Sequence, residues 1–116
     1  RVIIMKKIEA IIRPEKLEDI KDALIEKKIG GVTINQVMGC GNQHGWTEFI
    51  KGNEVLVHFL PKVEIKVVAE DSKVNEIVKL IMDISKTGEV GDGKIFISNV
   101  EECIRIRTGE KGDKAL

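Results

Sequence analysis

Residues 7–24 read KIEAIIRPEKLEDIKDAL, and two different hydrophobic repeats follow each other in this stretch. Residues 7–13 alternate in the manner of a strand with one buried face, formed here by Ile8, Ala10 and Ile12. Pro14 suits the first position of a helix, and apolar residues then recur at helical spacing, as Leu17, Ile20, Ala23 and Leu24. The stretch therefore predicts a strand followed at once by an amphipathic helix.

The rest of the chain continues this succession of strands and helices. Gly30 and Gly31 end the first helix. The hydrophobic pattern then predicts a strand over 32–38, a strand over 63–68, a helix capped by Asp71 or Ser72, a strand over 95–100 and a short strand over 103–107. The second helix carries its apolar residues at Val74, Ile77, Val78, Ile81 and Met82. The resulting βαββαβ order predicts an α+β, ferredoxin-like fold with an extra short C-terminal strand.

A long segment separates the second and third strands. Residues 39–61 begin with polar residues and glycines, and only residues 55–60 have a sequence that could pair locally. We therefore predict one long loop here. Loops of more than about 12 to 15 residues without secondary structure are uncommon in compact domains, and most are functional or disordered. This loop is the expected contact site for a partner.

Length, charge and cysteine content limit the classes of protein that fit. The chain has 116 residues, which is one domain's worth, and its 19 basic and 19 acidic residues cancel. No overall positive field therefore favours nucleic acid or an anionic membrane. Cys40 and Cys103 form no CxxC pair, residues 1–5 are too short for a signal peptide, and no apolar run approaches the roughly 18 residues of a membrane span. These features are typical of a cytoplasmic protein in a reducing compartment.

Residues 87–94 (TGEVGDGK), which we call the glycine loop, are the strongest local sign of a binding site. Their glycines allow backbone N–H groups to converge on a phosphate, and Lys94 adds a positive charge. Gly88 and Lys94 fit the GxxxxGK part of a P-loop, but Ile95 stands where a P-loop has its Mg²⁺-binding Ser or Thr. The loop also runs from a helix into a strand, so a P-loop is not predicted. A plain glycine-rich turn is the alternative to a phosphate site.

Two arginines follow near the C-terminus. Arg105 and Arg107 are two positions apart on the predicted short strand, so both guanidinium groups are expected on one face. Arginine binds phosphate oxygens with two parallel hydrogen bonds. The alternative is a solvated, charged edge strand. The glycine loop in the same chain favours phosphate binding.

Further candidate residues lie in and beside the long loop. Gln43 at its entry and Lys62 at its exit are candidate ligand contacts, with a polar turn residue and a solvated lysine as the alternatives. Trp46 and Phe49 lie in a polar context, where exposed aromatic side chains often anchor a partner. Packing of these aromatic side chains on the base of the loop is the alternative.

Four segments, in order, resemble the PII signal-transduction protein family. They are residues 5–14 (MKKIEAIIRP), 59–65 (FLPKVEI), 87–96 (TGEVGDGKIF) and 104–110 (IRIRTGE). The resemblance extends along nearly the whole chain from Met5. It implies an N-terminal extension over residues 1–4 and a single PII-like domain over residues 5–116. It also implies a regulatory protein rather than an enzyme.

The resemblance implies a homotrimer of ferredoxin-like subunits with nucleotide clefts between neighbours. Residues 41–57 correspond to the long T-loop of the family. The residues implied at ATP or ADP are Thr33, Gly41, Asn42, Gln43, Lys62, Val68, Gly91, Asp92, Gly93 and Lys94, with Arg105 and Arg107 from the neighbouring subunit. Of these, Thr33 and the backbone of Val68 are implied at the adenine.

The resemblance also implies further ligands and an output. Lys62 and Gln43 would bind 2-oxoglutarate, and the side-chain oxygen of Gln43 would complete the coordination of Mg²⁺ held by ATP and 2-oxoglutarate. The implied function is a sensor of nitrogen, carbon and energy status. Its partner would be an ammonium transporter, the only route by which it meets a membrane, or a nitrogen-metabolism enzyme. The residues implied at the partner are Trp46, Phe49, Lys51 and Val55.

Two positions depart from the family pattern. Val55 stands where many relatives have a modified tyrosine, and the chain contains no tyrosine, so uridylylation or adenylylation there is excluded. Asn42 stands where relatives usually have a basic residue, which removes one positive charge near the phosphates. Regulation is therefore expected to rest on ligands or on another modification.

Two other classes of protein remain as alternatives. A small ATP-hydrolysing or phosphotransfer enzyme would use residues 91–94, although only Asp92 is a candidate base and no paired carboxylates are present for Mg²⁺. A structural protein of the same fold would bind a metal through Cys40 and His44. With His58 added, these residues still match no recognised set of metal ligands.

Overall fold

The computed structural model describes residues 3–39, 46–50, 53–57 and 60–116. Its elements are β1 (Met5–Ile12), α1 (Leu17–Glu26), β2 (Thr33–Gly39), β3 (Trp46–Ile50), β4 (Asn53–Val57), β5 (Leu60–Glu70), α2 (Asp71–Ser85) and β6 (Lys94–Val100). Short 3₁₀ turns lie at Pro14–Lys16, before α1, and at Gly112–Ala115. Within these ranges, no helix has both the length and the apolar character needed to cross a membrane.

Four strands form one antiparallel sheet in the order β2-β5-β1-β6. In the centre of this sheet, Ile8 of β1 lies opposite Val67 of β5 on one side and Ile97 of β6 on the other. β2 pairs with the remaining edge of β5, where Ile34 lies opposite Ile65. With α1 and α2 as the two crossover connections, this is the ferredoxin-like α+β fold that the sequence predicts.

The two helices cover one face of the sheet and enclose the hydrophobic core. β1 contributes the predicted residues Ile8, Ala10 and Ile12 to it. The other strand and helix residues buried there include Ile20, Leu24, Val63, Ile65, Val67, Val74, Ile77 and Ile81. Because burying one such side chain contributes about 1.5–3 kcal/mol, the alternation along β1 and β5 fixes which face of the sheet the helices cover.

The second helix differs from its prediction in its cap and in one residue of its apolar face. Its N-cap residue is Glu70 rather than Asp71 or Ser72, and no side-chain hydrogen bond caps the first turn. The extended backbone of Glu70 continues β5, so the helix begins directly where the strand ends. At the other end Met82 is 53% exposed and does not belong to the core. It lies one residue after Ile81, about 100° further around the helix axis, which turns it away from the sheet.

The uninterrupted loop that we predicted over residues 39–61 is wrong. β3 and β4 pair as a two-stranded antiparallel sheet, with Trp46 opposite Val57 and Phe49 opposite Glu54. β5 also begins three residues earlier than predicted, at Leu60 rather than at Val63. Aromatic and β-branched residues favour strands, and the prediction gave more weight to the polar, glycine-rich start of the segment.

The short strand predicted over residues 103–107 is also wrong. Ile104 forms only an isolated bridge with Lys111, and the chain turns back between them. The Gly109 N–H donates to the Arg105 carbonyl at 2.7 Å, and the Arg105 N–H donates to the Glu110 carbonyl at 2.9 Å. Gly109 has a φ of 72°, which favours glycine and permits the turn. Arg105 and Arg107 therefore do not share the face of a strand.

Candidate functional site

The glycine loop connects α2 to β6, and the carboxylate of Asp92 holds its first residues in place. Oδ2 of Asp92 accepts hydrogen bonds from the N–H groups of Thr87 at 2.8 Å and Gly88 at 2.9 Å. Oδ1 accepts one from the Thr87 hydroxyl at 2.5 Å. The Thr87 hydroxyl and these N–H groups hold the pKa of Asp92 well below its ordinary value. Asp92 is thus a poor proton acceptor, which contradicts its use as the base of an enzyme.

Gly93 brings the glycine loop into contact with β1. Its φ is 102°, and a Cβ at this position would lie 1.7 Å from the carbonyl oxygen of Ile11. No side chain fits in that space, and the backbone conformation itself also disfavours other residues. The loop therefore follows the end of β1 at backbone contact distance.

Arg13, the residue that follows β1, also contacts the glycine loop. Its Nη2 donates a hydrogen bond to the Val90 carbonyl at 2.9 Å, and its Nε lies 3.4 Å from Asp92 Oδ1. One side chain thus contacts both a backbone carbonyl of the loop and the carboxylate that organises it.

Lys62 is a buried cation that also contacts the glycine loop. It is 8% exposed, and its Nζ donates a hydrogen bond to the Gly91 carbonyl at 2.8 Å. None of the ion pairs formed between described residues includes Lys62. Burial lowers the pKa of Lys62, and the charge of Arg13 lowers that pKa further. An ammonium group has three donors and is costly to bury without an anion, so Lys62 favours an anionic ligand.

The carbonyl and N–H groups of the glycine loop differ in their hydrogen bonding. The carbonyls of Val90 and Gly91 accept hydrogen bonds from Arg13 and Lys62. Among the described residues, nothing accepts a hydrogen bond from the N–H groups of Val90 and Gly91. Backbone N–H groups that are free in a turn containing positive φ values, as at Gly91 with 107°, can bind an anion. This arrangement favours a phosphate site over a plain turn.

Two cavities border this region. One of about 370 Å³ is lined by Pro14, Gln36, Val37, Met38, Pro61, Lys62 and Val63. Its volume lies in the range of about 300–1,000 Å³ that small-molecule sites occupy. A smaller one of about 160 Å³ lies between the end of α2 and the glycine loop, and its lining includes Lys86, Asp92 and Lys94 beside apolar side chains. Both cavities have lysines in their walls, but only the larger one has the volume of a small-molecule site and a lysine, Lys62, that is buried.

Three further predicted residues lie on the sheet. Thr33 is exposed at the start of β2 and lies opposite Lys66 of β5, two residues from Val68. Val68 is half-buried, and it shares with Lys66 the sheet face that the helices leave uncovered. Lys94 is exposed at the start of β6, opposite Ile11. Thr33 and Val68 are therefore on neighbouring strands and on one face.

The two predicted arginines bond elsewhere. Arg105 Nη1 lies 3.3 Å from Glu110 Oε1, and its Nη2 donates to the Leu116 carbonyl at 3.2 Å. Arg107 is exposed. Within the described part of the chain, no hydrogen bond or ion pair joins either arginine to the glycine loop. The two regions predicted to bind phosphate are thus not bonded to each other in one subunit.

Several predicted residues belong to the long segment between β2 and β5. Lying outside the described residues are Gly41, Asn42, Gln43, Lys51 and the proposed metal ligands Cys40, His44 and His58. Trp46 and Phe49 lie on β3, and Val55 lies on β4. Among the described residues, no group of three His, Cys, Asp or Glu could hold a metal ion.

The sequence reasoning missed Arg13 and Thr87 as parts of the site. Arg13 is 77 to 79 residues from its partners in the glycine loop, and a single arginine after a strand has no spacing signal. Thr87 carried a signal that was not used. A threonine that precedes a glycine-rich turn containing aspartate is a residue type that commonly bonds to the local turn.

A ferredoxin-like subunit whose glycine loop is contacted by two cations is suited to binding small anions. The chain belongs to the family described as nitrogen regulatory protein P-II, whose family model matches residues 5–110. It is accordingly a regulatory signalling protein and not an enzyme.

Individual relatives agree with this assignment. The chain is 54% identical to a nitrogen regulatory protein P-II of Azospirillum brasilense and 52% identical to one of Porphyra purpurea. Each alignment spans 112 residues, 97% of this chain and 100% of the relative. A crystal structure of Arabidopsis thaliana PII bound to citrate has a TM-score of 0.77 and 35% sequence identity, covering 97% of this chain and 92% of that one.

Proposed function

We propose that this chain forms a homotrimer that binds ATP or ADP, and 2-oxoglutarate, in clefts between its subunits. It reports nitrogen, carbon and energy status to a partner through residues 41–57, the proposed T-loop. The partner is an ammonium transporter or a nitrogen-metabolism enzyme. The protein acts in the cytoplasm and meets a membrane only when its partner is a transporter.

The observation that carries the proposal is the buried ammonium group of Lys62. It contacts the glycine loop through the Gly91 carbonyl and also lines the cavity of about 370 Å³. A dicarboxylate in that cavity would supply the anion that Lys62 lacks among the described residues. The citrate bound to the Arabidopsis relative, itself a carboxylate, supports this class of ligand.

The nucleotide would bind on the side of the glycine loop that faces away from Lys62 and its cavity. Its phosphates would accept hydrogen bonds from the free N–H groups of the loop and from Lys94, and its adenine would lie near Thr33 and Val68. Arg105 and Arg107 of a neighbouring subunit would neutralise the phosphates. Among the residues that the structure describes, no hydrogen bond or ion pair joins these arginines to the glycine loop, as expected for a cleft shared between chains.

Mg²⁺ would connect the two ligands. A hard cation prefers oxygen ligands, which ATP, 2-oxoglutarate and the side chain of Gln43 would provide. Asn42 would lie beside this group as a neutral neighbour. Occupancy by both ligands would favour one arrangement of residues 41–57, and ADP another, so that the partner responds to a shift in population.

Calorimetry with ATP, ADP and 2-oxoglutarate, separately and combined with Mg²⁺, tests the proposal. Wild-type protein is expected to bind 2-oxoglutarate tightly only with MgATP, which measures the coupling between the ligands. Lys62→Met should weaken 2-oxoglutarate binding at least about tenfold, or ~1.4 kcal/mol, and should weaken ATP binding less, because the nucleotide keeps the N–H groups of the glycine loop and Lys94. The matched control is Lys73→Met, which removes an exposed lysine of α2.

Equal 2-oxoglutarate affinity in the Lys62 and Lys73 variants would contradict the proposal. The pH dependence of 2-oxoglutarate affinity is a second check, because the carboxylate of this ligand requires the charged ammonium form of Lys62. Since burial lowers the pKa of Lys62 from its ordinary value of 10.5, affinity for 2-oxoglutarate should decline as pH rises, beginning below the range in which an exposed lysine loses its proton.

Trp46, the only tryptophan, lies in the proposed T-loop, and its fluorescence should distinguish MgATP with 2-oxoglutarate from ADP.

A further inference from the structure

We propose that Arg13 is a positioning residue that, together with Asp92 and Thr87, presets the glycine loop so that its N–H groups face the phosphates of the nucleotide. The proposal rests on the proposed function, because the loop that Arg13 positions is the one expected to receive ATP. Arg13 itself need not contact the ligand.

The first step is the way Arg13 binds two residues of the glycine loop. It follows β1 immediately, so its backbone is fixed by the central strand of the sheet. The guanidinium group reaches the Val90 carbonyl at 2.9 Å with Nη2 and Asp92 Oδ1 at 3.4 Å with Nε. Both partners in the ion pair are partly buried, with 23% and 24% of the side chains exposed. Arg13 therefore ties the loop to the sheet at two points.

The second step is the use of the Asp92 carboxylate. Oδ2 is occupied by the N–H groups of Thr87 and Gly88, and Oδ1 by the Thr87 hydroxyl and Arg13. The Thr87 hydroxyl in turn accepts a hydrogen bond from the N–H of Glu89 at 3.1 Å. The polar groups at the start of the loop that face Asp92 and Arg13 are therefore already hydrogen-bonded within the protein.

The third step concerns the groups that remain. Arg13 and Lys62 occupy the carbonyls of Val90 and Gly91, while the N–H groups of these two residues have no acceptor among the described residues. A peptide group cannot direct its carbonyl and its N–H to the same side. Fixing the Val90 carbonyl on Arg13 therefore directs the N–H of the same peptide group, which belongs to Gly91, away from it. Arg13 thereby orients a phosphate donor without touching the phosphate.

The test combines two matched pairs of variants with two measurements. Arg13→Gln removes both contacts, whereas Arg13→Lys keeps the charge but can reach only one acceptor at a time. Thr87→Val removes the hydroxyl, whereas Thr87→Ser keeps it. The measurements are ATP affinity by calorimetry and, in the ligand-free protein, hydrogen exchange of the Thr87 and Gly88 amides.

We expect Arg13→Gln and Thr87→Val to weaken ATP binding about tenfold and to accelerate exchange of the two amides about tenfold. Arg13→Lys should fall between wild type and Arg13→Gln, and Thr87→Ser should remain within about twofold of wild type. The thermal midpoint should change by less than about 2 °C, because these partly exposed contacts lie outside the core. Exchange elsewhere in the chain should be unchanged.

Each outcome decides between distinct conclusions. Unchanged ATP affinity in Arg13→Gln, with wild type binding ATP, would overturn the positioning role. Weaker ATP binding with unchanged amide exchange would also overturn it, since Arg13 would then act through its charge on the ligand. If wild type binds no ATP, the proposed function fails. In that case, faster amide exchange in Arg13→Gln would still support the role of Arg13 in holding the glycine loop in place, and unchanged exchange would refute it.

Discussion

The glycine loop and the arginine segment, which we define as residues 103–111, are held in opposite ways. Side chains from distant parts of the fold contact the glycine loop, namely Arg13 after β1 and Lys62 of β5. The arginine segment is held by close neighbours in sequence. Its turn is closed between Arg105 and Glu110, and its bridge joins Ile104 to Lys111.

This difference concerns the contacts that each region has within one chain. The glycine loop already has its carboxylate, its two cations and its backbone contact with β1 in place. The arginine segment has a defined backbone, but Arg107 is exposed and Arg105 pairs only with its own surroundings. In the proposed cleft between subunits, the glycine loop of one chain, with its contacts already in place, would meet the arginine segment of the next chain, which has no ligand of its own.

The largest effect is expected at the backbone contact between the glycine loop and β1. Gly93→Ala would place a Cβ 1.7 Å from the Ile11 carbonyl oxygen, so that the loop must move away from the sheet. We expect the free energy of unfolding to fall by at least about 3 kcal/mol and ATP affinity to fall at least about 100-fold. Urea unfolding and calorimetry measure the two losses.

Two other glycines serve as controls for this variant. Gly88 in the same loop and Gly109 in the arginine segment also have positive φ, of 88° and 72°, but a Cβ at either would meet nothing within 4 Å. Alanine at either position should cost only about 1–2 kcal/mol from backbone strain. Equal losses at Gly93 and Gly109 would remove the contrast between a loop held by distant contacts and a segment held locally.

The second effect concerns whether the two regions meet across subunits. Chains carrying Lys94→Ala and chains carrying Arg105→Ala with Arg107→Ala should each form trimers that bind ATP poorly. After random mixing, about a quarter of the clefts would combine an intact glycine loop with intact arginines from the neighbour. We therefore expect ATP binding to return to about a quarter of the wild-type number of sites, measured by calorimetry on the mixed trimers. Mixed trimers without ATP binding would place both regions in one chain.

The regular elements could be predicted because their signal lies within a few residues. The period of two in β1 and the helical spacing in α1 each require only local sequence, and both predicted faces are buried. The hairpin of β3 and β4 was missed because the polar residues and glycines before it matched a loop. The arginine segment was misjudged because alternating residues 103–107 resemble a strand until the turn at Gly109 is considered.

The candidate site, like the fold, has a part that could be predicted from the sequence and a part that could not. The residues of the glycine loop and Lys62 were predicted from composition and family resemblance. The arrangement that gives them a common geometry was not, because it depends on Arg13, which is 77 residues from Val90 in sequence. The binding of Asp92 to its own loop is a local contact, five residues from Thr87, and these residue types carried a signal that was not used. The contacts of Arg13 are set by the tertiary fold, and no local pattern predicts them.

The smallest effect is expected from the ion pair that holds Arg105. Glu110 Oε1 lies 3.3 Å from Arg105 Nη1, and the two side chains are 42% and 35% exposed. A pair so accessible to solvent contributes no more than about 1 kcal/mol. Because a phosphate would have to compete with Glu110 for this arginine, Glu110→Gln should raise ATP affinity about two- to threefold, or up to ~0.65 kcal/mol.

The control for this variant is Asp83→Asn, which removes the same charge from the exposed Lys79–Asp83 pair of α2 and should leave ATP affinity unchanged. The gain from Glu110→Gln should also shrink as salt is added, since salt screens exposed pairs. Calorimetry at two salt concentrations measures both effects. Weaker ATP binding in Glu110→Gln would show that Glu110 orients Arg105 for the nucleotide instead of competing with it. The arginine segment would then be as preset as the glycine loop, and the contrast between them would be lost.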